Sequence, residues 1–310
     1  MFLGATTWTF SWAPPYDEAI KKIAKIGGFK VVELTVWGEE FLSEYYTPET
    51  NKYLKDLAED QGLRINDVFC IPPGIASSEK KERDASVEFF KKILDVAGQL
   101  GAEMVIALPP NPFEMDIPYI GKKPMSQEWG VRYPKGLDWD QNWKDMVDTF
   151  AKFADECEKR KMLVALEPHP WRMMHNAAGM KRMIEQIESP AIGLNLDPSH
   201  LYPSGEMPNV VAYEIGDRVF NTHFSDNDGV TNAHWRPGKG QIDYRGLLNA
   251  LNHIGYTGAL NLELEDVPGA AGYPGFNRSP DSTDEIIREH IYARDYLIRL
   301  CEEESIDLKK

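Results

Sequence analysis

Short apolar runs alternate with segments of helical periodicity along the whole chain. Each run is six to eight residues long, and apolar residues recur every three or four positions in the stretch that follows it. This alternation is typical of βα units that build a parallel sheet. The runs predict eight strands, at residues 2–8, 31–36, 64–71, 103–110, 163–169, 192–198, 219–226 and 258–265.

The segments between these strands carry the signals of amphipathic helices. The first apolar stripe ends at a Gly pair, residues 27–28, which suits a helix C-cap. The second helix is predicted to begin at Thr47 and Pro48, a capping residue followed by proline. The last helix runs from about 282 to 304 and would close a ring of helices.

Eight βα repeats in 310 residues predict one α/β domain, a single (β/α)8 TIM barrel over residues 1–310. Such barrels usually have about 250 residues plus insertions. Two irregular stretches, 111–141 and 266–282, follow the fourth and eighth strands. Because loops after the strands form the active-site face of this fold, both insertions are expected at the rim of that face.

Composition excludes several classes of partner. The formal net charge of −15 opposes binding to nucleic acid, because that affinity comes largely from Lys and Arg. No run of eighteen apolar residues suggests a membrane span, and the three cysteines form no CxxC pair. The first residues lack a basic and apolar leader, which favours a cytoplasmic protein or one whose export signal has been removed.

Four consecutive predicted strands end in residue types that bind metals. Glu167 follows the fifth run, Asp197 and His200 follow the sixth, and His223 and Glu263 lie on the seventh and eighth. Each has an ordinary explanation when taken alone; the Asp-Pro pair at 197–198, for example, is also a favoured helix start. In a barrel, however, these strand ends converge on one mouth.

A cation would explain why so many acidic groups converge. Three carboxylates in one buried mouth repel each other unless a positive charge neutralises them. A mixed set of oxygen and nitrogen ligands without thiolate suits Mn²⁺, Mg²⁺ or Co²⁺, and Zn²⁺ is also possible. The residues therefore predict one divalent metal site at the carboxyl end of the barrel.

The order Glu, Asp-x-x-His, His, Glu resembles the xylose isomerase-like TIM barrels, specifically the sugar phosphate isomerase/epimerase superfamily with its ketose 3-epimerases and inosose-processing enzymes. Residues 223–229 (HFSDNDG), 234–251 and 255–266 are similar to the last two strand signatures of that family, and residues 27–34 to its second-strand stretch. The resemblance implies that His200 contacts the substrate, and that one divalent ion, such as manganese, is bound by Glu167, Asp197, His223 and Glu263.

The resemblance also implies a reaction. In the family's epimerases the metal holds two adjacent sugar oxygens, and the ligands matching Glu167 and Glu263 exchange the proton on the intervening carbon through an enediolate. This implies a sugar isomerase or epimerase that acts on a ketose or a related keto-sugar, and a homo-oligomer. A lyase or dehydratase, for instance one that cleaves a 3-keto glycoside, begins with the same proton removal and is the alternative. A noncatalytic sugar-binding subunit is a third.

Some positions depart from the family or stay open. Ketose 3-epimerases carry an Arg shortly after the strand-seven His, whereas the nearest here is Arg236, the expected substrate contact. Glu33 and Trp37, in the second-strand stretch, are further substrate-binding candidates, although Glu33 could instead pair with Lys or Arg inside the barrel. His169 either orients Glu167 or is an ordinary loop histidine. Tryptophans expected near the rim, where sugar faces could stack, are Trp8, Trp12, Trp37, Trp129, Trp171 and Trp235.

Overall fold

The computed structural model describes residues 1–36, 38–115, 135–270 and 283–309. Eight parallel strands form a closed barrel in sequence order, and β1 pairs with both β2 and β8. The predicted (β/α)8 fold is therefore confirmed. The strands β1 to β8 are Phe2–Thr6, Val31–Val36, Arg64–Cys70, Met104–Ala107, Leu163–Leu166, Ile192–Leu196, Val219–Phe224 and Ala259–Leu262.

Helices surround the barrel and bury their apolar stripes against it. Thr47 caps α3 as predicted, since its side chain accepts a hydrogen bond from the backbone N–H of Thr50 at 3.2 Å. Within the described residues, the helices α1 to α10 are Asp17–Ile26, Glu39–Glu44, Pro48–Asp60, Lys80–Leu100, Trp139–Arg160, Ala177–Ile187, Pro198–Leu201, Pro208–Ile215, Tyr244–His253 and Thr283–Glu303. None of these helices is both long and apolar enough to cross a membrane.

The barrel interior has an apolar and a polar side. Phe69, Met104, Ile106 and Ala165, from β3, β4 and β5, form a buried cluster with Trp8. The interior also holds buried polar residues: Glu33 on β2, Asp67 on β3, Asn221 on β7 and Asn261 on β8. The polar side is unusual for a barrel core, in which branched apolar residues dominate.

Gly4 on β1 makes room for this polar side. A Cβ at residue 4 would lie 1.7 Å from Oδ1 of Asn261 and 2.6 Å from a methyl carbon of Val31. Only glycine leaves the space that the Asn261 side chain occupies. The small residue on the first strand therefore helps to position the polar layer beneath the mouth.

All strands except β2 are shorter than the apolar pattern predicted. β5, β6 and β8 end one residue before Glu167, Asp197 and Glu263, respectively. The apolar pattern extends further because residues just past the strands, such as Leu264, are also buried. The strand ladder ends where the backbone turns into the rim loops, so these three carboxylates stand at the mouth. The predicted insertions lie partly outside the described residues, at 116–134 and 271–282.

Candidate metal and catalytic centre

Three carboxylates and one imidazole meet at the mouth of the barrel. Glu167, Asp197, His223 and Glu263 each offer one ligand atom, and these atoms lie within 4.8 Å of one another. All four side chains are buried. Successive parallel strands deliver them to one point, so the structure brings together the four residues predicted as metal ligands.

The two glutamates are held by neutral donors. Nδ2 of Asn195 donates to Oε1 of Glu167 at 2.7 Å, and Nε1 of Trp8 donates to Oε1 of Glu263 at 3.0 Å. His169 also contacts Glu167, with 3.0 Å between Nε2 and Oε2. His169 therefore orients this carboxylate and is not an ordinary loop histidine.

Asp197 has two functions at once. Its Oδ1 accepts a hydrogen bond from the backbone N–H of Ser199 at 2.6 Å and so caps the short helix α7. Its Oδ2 lies 3.3 Å from Nε2 of both His200 and His234. The helix start that the sequence indicates is real, and it leaves the second oxygen directed into the cluster.

His223 is fixed by the polar layer below the mouth. Its Nε2 donates to Oε2 of Glu33 at 2.7 Å, which leaves Nδ1 facing Glu167 and Glu263. Nδ1 lies 2.7 Å from Oε1 of Glu167 but makes no hydrogen bond to any described residue. A histidine that donates one nitrogen to a carboxylate presents the other as a metal ligand.

Glu33 contacts the polar layer and His223 in place of the Lys or Arg partner that the sequence left open, and its role in substrate binding stays a prediction. It accepts hydrogen bonds from Nδ2 of Asn221, at 3.0 Å, and from Nδ2 of Asn261. Asp67 adjoins it, and burial together with the Glu33 charge raises the pKa of Asp67 well above its usual range. A protonated Asp67 would remove one of the negative charges that two adjoining buried carboxyl groups could carry.

The charges of the cluster are strongly coupled. Burial raises the pKa of Glu167 to about 8. Burial also acts against ionisation of Asp197, but His200 and His234 outweigh it and lower the pKa of Asp197 to about 2. Desolvation disfavours the charged imidazole of His223, yet Glu33, Glu167 and Glu263 raise its pKa well above the usual value. Mutual attraction is thus the main counterweight to burial in this cluster.

Two further histidines extend the centre beyond the four predicted ligands. His234 is buried, and its Nε2 lies 3.7 Å from Oε2 of Glu263. His200 stacks on His169 with ring centroids 3.5 Å apart, and its Nδ1 bonds to Oδ1 of Asn232 at 2.8 Å. Asp197, Glu263, His200 and His234 therefore form a second group whose ligand atoms lie within 4.8 Å of one another.

The donor set fits a divalent cation. Nδ1 of His223 and Oε2 of Glu263 are buried and have no hydrogen-bond partner among the described residues. Unpaired buried polar atoms are costly, and a cation between them would satisfy both. The buried cluster of Asp, His and Glu can therefore hold a metal ion, and its oxygen and nitrogen donors agree with the ions expected from the sequence.

A small cavity lies directly against the cluster. It has a volume of about 90 Å³, and both Glu167 and Glu263 line it. Its apolar wall includes Trp8, Trp12 and Phe69. The cavity thus presents the carboxylates of Glu167 and Glu263, together with Glu265, to a small molecule that packs against an aromatic surface.

Other candidates lie elsewhere or outside the described part of the chain. Nε of Arg236 lies 3.1 Å from Oε2 of Glu289 on α10, and its guanidinium stacks on Tyr292 of the same helix. Its recorded contacts are thus with α10 and not with the cluster. Trp235 stacks beneath Lys239. Trp37 and Trp129 lie outside the described residues.

Sequence reasoning missed His234, eleven positions after His223. The loop after β7 folds back as an isolated antiparallel bridge between Asp226 and Trp235. The carboxylate of Asp226 also accepts hydrogen bonds from the backbone N–H groups of Gly238 and Gly240, each at 2.9 Å. This buried aspartate returns His234 to the mouth. An Asp soon after a strand-end His, followed by a Gly-rich turn, is the signal that marks such a loop.

Two curated relatives are similar to the chain over most of its length. It is 20% identical over 240 residues to fructoselysine 3-epimerase of Escherichia coli O157:H7, covering 77% of this chain and 74% of that protein. It is 24% identical over 280 residues to inosose dehydratase of Clostridium tetani, covering 83% and 84%.

Structural similarity extends over almost the whole chain. D-psicose 3-epimerase from Clostridium cellulolyticum H10, solved with D-tagatose, matches with a TM-score of 0.76 and 18% identity, covering 97% of this chain and 99% of that one. At this identity the likeness concerns the fold alone. The model of the xylose isomerase-like TIM barrel family matches residues 20–291, which include every residue of the cluster. The chain therefore belongs to the xylose isomerase-like TIM barrel family.

Proposed function

We propose that the protein is a divalent-metal-dependent sugar isomerase or epimerase acting on a ketose or a related keto-sugar. The observation that carries this proposal is the placement of Glu167 and Glu263 in one buried cluster, against one cavity. Two carboxylates at one small site can remove and return a proton on carbon. The epimerase and dehydratase relatives support a sugar as the substrate.

Glu167, Asp197, His223 and Glu263 would hold the metal ion. When bound, the ion supplies Lewis acidity that stabilises negative charge developing on substrate oxygens. Asn195 and Trp8 donate to the two glutamates and fix the direction of each carboxylate. Glu33 accepts a hydrogen bond from Nε2 of His223 and so fixes the direction of that imidazole. The protein thus preorganises the donor set before the substrate enters.

Proton transfer is assigned to the two glutamates. One, as a carboxylate, takes the proton from the carbon next to the carbonyl, and the electron pair of that C–H bond forms the enediolate. The other, as a carboxylic acid, returns a proton to the same carbon from the other face, which inverts that centre. Proton return to the neighbouring carbon would give an aldose–ketose isomerisation instead.

His200 and the apolar wall are assigned to substrate binding. His200 lines the cavity and is oriented by Asn232 through its Nδ1, so its Nε2 is turned toward Asp197 and the mouth. There it can contact a sugar hydroxyl or carbonyl oxygen. Trp12 and Phe69 offer apolar surface to the C–H faces of the sugar.

A lyase reaction on a keto-sugar is the second candidate, because His234 is buried beside Asp197 and Glu263. An imidazole at this position could protonate a departing hydroxyl or alkoxide after the carbon proton has been removed. The similarity to inosose dehydratase supports the same alternative. Both candidates share the first step and differ in what happens to the enediolate.

Proton NMR in D2O separates these reactions. The protein is stripped of metal and reloaded with Mg²⁺ or Co²⁺, then incubated with a panel of free ketoses and 3-keto glycosides. Metal-dependent exchange of a carbon-bound hydrogen, with a new epimer or isomer, is the expected result. Release of water or an aglycone would identify the lyase. Absence of exchange with every sugar would contradict both and leave a sugar-binding subunit.

A further inference from the structure

The barrel mouth opens into two adjoining cavities of different size. The inner one, against the carboxylates, has a volume of about 90 Å³, and the outer one, at the rim, about 560 Å³. Arg172 lines both. Sites for small molecules usually measure about 300–1,000 Å³, so the inner cavity alone is small for a whole substrate, whereas the outer cavity lies inside this range.

The two cavities are connected through residues of the proposed centre. Asn232 lines the outer cavity and bonds to His200, which lines the inner one. The loop after β5 passes from one to the other, since His169 lines the inner cavity and Trp171 the outer. The two cavities are therefore neighbours that share Arg172, and this is the basis for placing one molecule across both.

Trp171 is held at the rim in an unusual backbone conformation. Its φ angle is +67°, in the left-handed region that bulky residues rarely adopt. The loop is fastened on both sides of it. The backbone N–H of Arg172 donates to the carbonyl of His169 at 3.2 Å, and that of Met173 to the carbonyl of Pro110 at 3.0 Å. Such locally unfavourable conformations cluster at ligand-binding sites.

A second tryptophan lines the outer cavity. Trp139, at the start of α5, is 43% exposed. Phe113, also in left-handed backbone at φ +58°, packs edge-on against it with ring centroids 6.0 Å apart. The backbone N–H of Phe113 donates to Oδ1 of Asn142 at 2.8 Å. The indole of Trp139 is therefore supported and still accessible.

The chemistry of the lining selects the occupant. Flat apolar groups alternate with hydrogen-bonding groups such as Ser204 and Asn232, and none of the described lining residues is a carboxylate. An ammonium group would find no counter-ion there, and Arg172, the one arginine among the described lining residues, donates to the backbone carbonyl of Pro109 at 3.3 Å. An uncharged sugar ring fits, because its C–H face packs on indole and its hydroxyls bond to polar groups.

We propose that the outer cavity is a subsite for a second, uncharged sugar ring in glycosidic linkage to the reacting keto-sugar, with Trp171 as its stacking platform. This rests on the proposed function, since the reacting ring is the one placed at the inner cavity. The substrate class is thus a keto-disaccharide or a similar glycoside, and not a free monosaccharide.

The test compares D-fructose with maltulose, which carries a glucosyl group on O4 of fructose. Equilibrium dialysis of labelled sugars gives Kd on the metal-loaded protein, and deuterium exchange gives kcat/KM. We expect maltulose to bind about tenfold more tightly than fructose, which corresponds to one well-packed ring. Trp171→Gly should bring the ratio of the two Kd values close to one. Trp171→Phe should keep most of the preference for maltulose.

The control variants separate loss of the subsite from misfolding. Glycine adopts positive φ freely, so Trp171→Gly removes the indole and keeps the backbone. Tyr213→Ala removes a 52% exposed aromatic residue on α8, away from the cavity, and should leave the ratio unchanged.

Each result decides between the two proposals. Equal affinity for the two sugars, no measurable binding of maltulose, or an unchanged ratio in Trp171→Gly would overturn the subsite. Tight binding of maltulose that depends on Trp171, without deuterium exchange by any sugar of the panel, would support the subsite and contradict the proposed function. Deuterium exchange with equal affinity for fructose and maltulose would support the proposed function and contradict the subsite.

Discussion

His223 and His290 are both completely buried, yet their surroundings are opposite. His290 on α10 stacks on Phe10 and meets Phe29 edge-on, and its Nδ1 bonds to the carbonyl of Ile286 at 2.9 Å. Burial lowers the pKa of His290 to about 4. Among the described residues, the Nε2 of His290 has no hydrogen-bond partner.

His223 also carries a buried nitrogen without a hydrogen bond to any described residue, but carboxylates surround it. Glu33, Glu167 and Glu263 outweigh the burial that would lower its pKa and raise it well above the usual value. An unpaired buried nitrogen is therefore not by itself a sign of a site. It becomes one where other ligand atoms converge on it, which is the difference between the two histidines.

The largest effect is expected when a carboxylate of the centre loses its charge. Glu263→Gln keeps the shape that Trp8 holds but removes a proton carrier and a ligand. Deuterium exchange should fall by about 10² to 10⁴-fold, while the melting temperature changes by less than about 4 °C. Glu185→Gln, at an exposed position on α6, should change neither. Full activity of Glu263→Gln would show that Glu263 does not carry the proton.

The difference between the two histidines can be tested directly by substituting each in turn. His223→Ala removes the only nitrogen among the four proposed ligands and should lower the metal content of the purified protein well below that of the wild type. His290→Ala removes an equally buried imidazole and should leave the metal content unchanged. Elemental analysis of folded protein measures both. Equal metal content in wild type and His223→Ala would exclude His223 as a ligand.

A smaller effect, on metal affinity, is expected at Glu33 in the polar layer beneath the centre. Glu33→Gln keeps a side chain of the same size but loses the negative charge that orients Nε2 of His223. Loss of such a supporting contact typically weakens metal affinity by about 10 to 100-fold. Competition with a chelator measures the affinity, and the metal should still bind at one equivalent when saturating. Wild-type affinity in Glu33→Gln would mean that the carboxylate does not position the imidazole.

The smallest effect on the centre is expected at His290, which instead contributes to the pH dependence of folding. Its pKa is about 4 in the fold and 6.5 when exposed, so the unfolded chain takes up more protons as the pH falls below about 6.5. The lowered pKa therefore costs stability at acidic pH, about 2 kcal/mol between pH 7.5 and 5. Urea unfolding of wild type and His290→Phe should differ by this slope, and parallel curves would contradict the assignment.

The fold could be predicted from the sequence because its signals are local and repeated. Apolar runs such as 163–169 and 192–198 are each long enough to mark a strand, and eight of them predict a closed barrel. The residues at which the strands end could be predicted less well. Leu264 is buried without being in a strand, and hydrophobicity cannot distinguish the end of a ladder from a buried loop.

The sequence predicted the residues of the centre only in part. Glu167, Asp197, His223 and Glu263 stand at successive strand ends, where chain order and space coincide. His234 does not, because the bridge at Asp226 brings it back through the fold. The bond between Glu33 and His223 joins strands that are not neighbours in the barrel, so no spacing in the sequence indicates it.

Several expectations from the sequence remain predictions. They are the single domain over residues 1–310, the homo-oligomer, the cytoplasmic location and the identity of the divalent ion, for which Mn²⁺, Mg²⁺, Co²⁺ and Zn²⁺ were left open. The role of Trp37 in substrate binding also remains one, because that residue lies outside the described part of the chain. Each concerns a property other than the convergence of strand ends at the barrel mouth.

The most direct test of the centre is anomalous diffraction from a crystal of the protein soaked in MnCl2. One manganese peak is expected in direct coordination by Oε atoms of Glu167 and Glu263, Oδ2 of Asp197 and Nδ1 of His223. A crystal without such a peak at the mouth, or with its peak bound by His200 and His234 and away from His223, would contradict the account.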